Sequence, residues 1–90
     1  MAAKRYIISG KVQGVWFRAS AKQQADSLGL TGFVHNLIGG EVEAFVQGPA
    51  DALLAFEDWC RTGPPLARVT HVEIITQPED PALVSFSVLR

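Results

Sequence analysis

Apolar residues in this chain follow two rhythms, one of period two and one near 3.6, and the points where they switch outline its elements. Residues 5–12 alternate, with Tyr6, Ile8, Gly10 and Val12 on one side and Arg5, Ile7, Ser9 and Lys11 on the other, which predicts a strand. From Phe17 the apolar positions recur at Ala21, Ala25 and Leu28, with Lys22, Gln23, Gln24 and Asp26 outside, so a helix is expected over 17–28. Gly29 suits the left-handed residue that closes such a helix, and Leu30 the apolar contact that accompanies it. Residues 31–36 and 41–47 read as the strands of a hairpin joined by Leu37-Ile38-Gly39-Gly40, whose glycines favour a tight turn. On the first of these strands Gly32, Val34 and Asn36 share one face, and Phe33 and His35 the other.

Pro49 opens a second helix at a position where its missing N–H is harmless, and Leu53, Phe56 and Cys60 then repeat at helical spacing with Trp59 on the flank. That helix is expected to end at Gly63, ahead of Pro64-Pro65. Residues 69–76 form another alternating strand, 77–81 a polar turn, and 83–90 a last strand with Val84, Phe86 and Val88 on one face. The order β-α-β-β-α-β-β buries these stripes in one core only if both helices lie on a mostly antiparallel sheet. This is an α+β, ferredoxin-like split βαβ sandwich with an added C-terminal strand. Right-handed crossovers put the two helices on the same face. The topology also gathers the end of the first strand, the loop after it and the first helix's N-terminus, with Asn36 within reach of them.

Ninety residues make one small domain spanning 1–90. No apolar run approaches the ~20 residues that span a bilayer, and the N-terminal residues lead into a strand rather than a signal sequence, so a cytoplasmic protein without a membrane partner is expected. The single cysteine, Cys60, excludes an internal disulfide and a cysteine-built metal site. Eight Lys and Arg against nine Asp and Glu leave a net charge of −1, which lacks the positive field of a general nucleic-acid binder. Anions must therefore be recognised locally.

One stretch is built for that. In Gly10-Lys11-Val12-Gln13-Gly14-Val15-Trp16-Phe17-Arg18 a strand breaks at a glycine and ends on an arginine where the helix begins. Amides at a helix N-terminus lack intrahelical acceptors and carry the positive end of the helix dipole, so they bind anions. An arginine there is on the unfavourable end of the dipole by roughly 0.3–1 kcal/mol unless an anion lies between. Other titratable residues have plainer readings. His35 and His71 are strand residues without metal-like partners, Glu41 and Glu43 belong to a solvated face, Lys11 and Lys22 are solvated, and Cys60 is core rather than nucleophile. Trp59, Phe56 and Phe86 are core candidates.

The glycine, glutamine, glycine, valine and arginine positions of this stretch resemble one signature motif of the acylphosphatase family. The segment Gly32-Phe33-Val34-His35-Asn36 resembles a second, and its Asn36 lies eighteen residues after Arg18. The resemblance covers nearly the whole chain. It implies a ferredoxin-like enzyme that hydrolyses acyl phosphates to a carboxylate and inorganic phosphate without metal or other cofactor. Carried over by motif position, Arg18 and Asn36 are the catalytic residues: Arg18 binds the phosphoryl group with the loop amides of Gln13, Gly14, Val15, Trp16, Phe17 and Arg18, while Asn36 orients the attacking water. A monomer is expected, with inorganic phosphate as product and competitive inhibitor. Trp16 departs from the glycine common in the family, His35 from a basic or polar residue, and Gly39 from an aspartate or other polar residue, which leaves the acyl group open. A silent phosphate or carboxylate sensor and an RNA-binding module are the alternatives on this fold; the second lacks the aromatic and basic sheet motif it needs.

Overall fold

A computed structural model describes residues 1–89. Its elements run β1 (Ala2–Lys11), α1 (Phe17–Ser27), β2 (Thr31–Asn36), β3 (Val42–Gly48), α2 (Ala50–Thr62), β4 (Arg68–Gln77) and β5 (Phe86–Val88). The five strands form one sheet in the order β4-β1-β3-β2-β5. β1 lies antiparallel between β3 and β4, β2 is antiparallel to β3, and β5 runs parallel to β2. α1 packs on β2 and β5, and α2 on β1, β3 and β4; the helices touch each other and so share one face of the sheet. This is the expected ferredoxin-like sandwich.

The periodicities explain the packing. Tyr6, Ile8, Val34, Val42, Ala44 and Val46 point from the sheet into a core closed by Phe17, Ala21 and Ala25 of α1 and by Leu53, Phe56 and Cys60 of α2. Phe56 is the centre of an aromatic cluster, with ring centroids 5.8 Å from Tyr6, 5.9 Å from Trp59 and 6.2 Å from Phe86. Trp59 is only partly buried and packs against Phe17 at 5.2 Å. α1 ends as its sequence suggests. Gly29 takes φ 71°, Leu30 N–H donates to the Ala25 carbonyl at 2.9 Å and Gly29 N–H to that of Asp26 at 3.2 Å, and Leu30 is buried; this closes the last turn's carbonyls by a Schellman arrangement. The buried Glu57 carboxylate ties α2 to β1, accepting from Lys4 Nζ at 3.2 Å and Tyr6 OH at 3.4 Å.

Several boundaries differ from the periodic reading. β1 starts at Ala2, because residues 2–4 pair with β3 even though two alanines and a lysine carry no alternation. The first hairpin strand matches its expected bounds, and of the paired turn glycines only Gly40 has positive φ. The last strand is much shorter than 83–90, and Arg90 lies outside the described residues. Leu83 and Val84 leave the sheet because Gln47 holds the preceding segment in an irregular path: its Nε2 donates to the Asp80 carbonyl and its Oε1 accepts from Asp80 N–H, both at 2.8 Å. Val84 is consequently 86% exposed, whereas Phe86 is buried.

Candidate active site

Between β1 and α1 the chain turns through residues 12–16. A register shift at Ser9/Gly10 bulges β4 against the end of β1, which stays paired to it through Lys11, and Gly14 takes φ 74°, a conformation that glycine adopts without steric penalty. Trp16 precedes α1 with φ 66° and ψ 21°, left-handed values that place its indole at the surface, 76% exposed. No side chain caps this end of α1 and no acidic residue lies in its first turn. Among the described residues, no acceptor is found for the amides of 13–19; the first intrahelical bond of this end is Ser20 N–H to the Trp16 carbonyl at 3.0 Å. An uncapped helix start beside a glycine loop is an electropositive concavity.

A cleft of about 360 Å³ opens at this point. Gly14, Trp16, Phe17 and Arg18 line it from the loop and first turn, Asn36 from the end of β2, and Val88 from β5. The two residues read as catalytic thus meet in one cleft, although eighteen positions separate them. Gln13 and Val15, read as phosphate ligands through their amides, do not line it. Val15 is buried in the core, and the Gln13 side chain is turned to the hairpin, where Nε2 donates to the carbonyls of Leu37 at 2.8 Å and Glu41 at 2.9 Å. That amide joins the cradle loop to the turn following Asn36. The periodic pattern carried no signal for this tie.

Two further features place the polar groups. Arg18 Nη1 donates to the Leu89 carbonyl at 2.9 Å, so the chain after β5 holds one edge of the guanidinium. Leu89 is itself held by its N–H, which donates to the Val34 carbonyl at 2.8 Å. Asn36 Oδ1 is buried without a hydrogen-bond partner. A buried acceptor left unmatched costs about 1–3 kcal/mol, and this one belongs to a residue that lines the cleft.

The remaining polar residues lie elsewhere. His35 alternates with Asn36 along β2 and points to the opposite sheet face, with Nε2 2.6 Å from Oε1 of Glu43. Arg5 Nη1 donates to the other oxygen of Glu43 at 3.3 Å, so Glu43 belongs to a cross-strand ion cluster rather than to the solvated face expected for it. Lys22 is likewise engaged, through Asp26 at 2.9 Å and the Phe86 carbonyl at 3.1 Å. Cys60 is fully buried; burial, with the Glu57 carboxylate second, pushes its thiol far above the ordinary range, so it is no nucleophile. Among the described residues no group of three or more His, Cys, Asp or Glu is placed to hold a metal ion, and no helix is long and apolar enough to cross a membrane.

Comparison with known proteins shows the family and agrees with the fold. The family model for acylphosphatase matches residues 4–88. A curated acylphosphatase of Methylococcus capsulatus is 48% identical over 84 residues, covering 93% of this chain and 91% of that protein. The crystal structure of acylphosphatase from Bacillus subtilis superposes with a TM-score of 0.95 at 33% identity over all of both chains. An acylphosphatase structure from Coxiella burnetii gives a TM-score of 0.90 at 38% identity, over 98% of this chain and 92% of that one.

Proposed function

Since this chain belongs to the acylphosphatase family, we propose that its cleft hydrolyses acyl phosphates with Arg18 and the free amides of the loop and first helical turn holding the phosphoryl group and Asn36 positioning water. The observation that carries this reading is the meeting of Arg18 and Asn36 in one cleft at an uncapped helix start. The acyl phosphate is a small molecule, and the enzyme recognises it locally, as a net charge of −1 requires.

The chemistry asks for little more. The leaving group is a carboxylate, stable as an anion, so no general acid is needed to protonate it. Transfer through a loose transition state depends on in-line alignment and on donors facing the charge spread over the equatorial oxygens. A guanidinium presents two donors in one plane, and backbone amides supply others at no side-chain entropy. The unpaired Oδ1 of Asn36 accepts from the attacking water and aligns it with phosphorus. Water oxygen bonds to phosphorus as the bond to the acyl oxygen breaks, the electron pair leaves with the carboxylate, and a phosphoryl oxygen takes the water's proton. The products are a carboxylate and dihydrogen phosphate. On this reading the chain is a cytoplasmic, monomeric single-domain enzyme inhibited competitively by inorganic phosphate.

Hydrolysis of benzoyl phosphate in excess chelator tests it. Turnover by the wild type, inhibited by phosphate, is the expected result. Phosphate binding by a folded sample without turnover would instead identify a sensor.

A further inference from the structure

Resting on that reading, we propose that Trp16, with Val88, forms an apolar subsite that selects acyl phosphates carrying an aromatic or bulky uncharged acyl group. Trp16 is the one non-glycine residue with positive φ among the described residues, in a conformation that a Cβ disfavours. Its side chain returns almost no burial for this, since the residue is 76% exposed. A large aromatic that is both conformationally disfavoured and left in water contributes little to folding, and its place on the cleft wall gives it a surface to offer a ligand. Val88, 39% exposed, adds a second apolar surface to the same cleft from a different element. The cleft, at about 360 Å³, has room for more than a phosphoryl group.

Charge narrows the class. Arg18 is the only charged residue lining the cleft among the described residues, and the phosphoryl group occupies it. An acyl group bearing its own ammonium, carboxylate or second phosphate finds no counter-charge among the described residues of the cleft beyond Arg18, and its desolvation beside an indole is costly. A benzoyl or branched aliphatic group instead removes apolar area from water on both partners.

The test compares kcat/KM for benzoyl phosphate and acetyl phosphate in the wild type, Trp16→Gly and Trp16→Phe. Disturbance of the phosphoryl cradle affects both substrates and cancels in their ratio. The benzoyl-to-acetyl ratio is expected to fall about tenfold in Trp16→Gly and to stay near wild type in Trp16→Phe. A change under about threefold in Trp16→Gly overturns the subsite while acetyl phosphate turnover upholds the enzyme. A wild type inert to both substrates overturns both. On the unaltered chain, benzoylphosphonate is expected to inhibit more tightly than acetylphosphonate; equal inhibition also overturns the subsite.

Discussion

Arg18 Nη1 donates to the backbone carbonyl of Leu89, 71 positions along the chain, at 2.9 Å. The guanidinium read as the phosphate clamp is therefore held by main chain from the other end of the sequence. A carbonyl is neutral, so it fixes the orientation of the arginine without neutralising the charge that an anion is to meet. Truncation after Val88 is expected to keep the fold by circular dichroism yet lower kcat/KM for benzoyl phosphate by roughly tenfold or more, because small misalignments of a positioned group are expensive in rate. Arg18→Lys, which keeps charge but not the planar fork, should weaken phosphate inhibition and lower kcat/KM by at least about a hundredfold. Near-normal values in both respects would remove Arg18 from the role of clamp.

Asn36→Ala separates binding from turnover. Its amide sits at the cleft wall with Oδ1 unpartnered, and nothing else in the described structure depends on that atom. The variant is expected to keep phosphate inhibition within about threefold of wild type and to lose roughly a hundred- to a thousandfold in kcat. A parallel loss of phosphate binding would make Asn36 a phosphate ligand instead.

Gln13→Ala removes the tie between the cradle loop and the hairpin turn. The Leu37 carbonyl still accepts from Gly40 N–H and the Glu41 carbonyl from Leu37 N–H, so each loses one of two donors. A stability loss of about 1–2 kcal/mol in urea unfolding is expected, with reduced turnover from a looser cradle. An unchanged midpoint and unchanged rate would show that the tie does not position the site.

Alkaline titration reports on two buried acids. Burial raises the Cys60 thiol and the Tyr6 phenol, with Glu57 adding to both. The folded state therefore retains protons that the unfolded chain releases, so their contribution is fully present below the unfolded pKa values, about 8.5 and 10, and is lost as pH rises from there through the folded values. Unfolding free energy should fall with a slope approaching about 1.4 kcal/mol per pH unit above the thiol's ordinary value, steepening once the phenol ionises in the unfolded chain. Cys60→Ala should remove the first part of that slope. Native Cys60 should also resist a thiol reagent until the protein unfolds.

Trp16→Gly reverses the usual sign of a tryptophan truncation. The substitution relieves a left-handed conformation worth roughly 1–2 kcal/mol and frees the unfolded chain by roughly 0.4–1 kcal/mol, while an indole this exposed forfeits little burial. Stability in urea should stay level or rise by up to about 1 kcal/mol. A loss of 2 kcal/mol or more, on the order of a buried side chain's contribution, would mean that the indole packs as core.

The anion loop was legible because its chemistry is local, whereas the catalytic reading of Arg18 and Asn36 came from the family resemblance. A glycine loop feeding an arginine-bearing helix start shows itself in consecutive positions, and residues 17–28 and 31–36 have clear periods. Spacing alone also put Asn36 on the face of Gly32 and Val34, opposite Phe33 and His35, since side chains alternate strictly along a strand. The aids to the site were not legible. Gln13 and Leu89 act through hydrogen bonds to or from main-chain carbonyls, and any residue supplies a carbonyl, so no residue type announces them. Glu43 looked solvated because its partners, Arg5 and His35, come from two other strands.

What the sequence determined by itself, then, was the elements, their layering, and a loop shaped for an anion, all of which follow from short-range periodicity and backbone chemistry. Only the tertiary structure decided that β5 lies parallel to β2, and thereby that Val88 lines the cleft and Leu89 aims Arg18. The register of an edge strand depends on which partner offers free main-chain groups, and that is settled by the assembled sheet rather than by the strand's own residues.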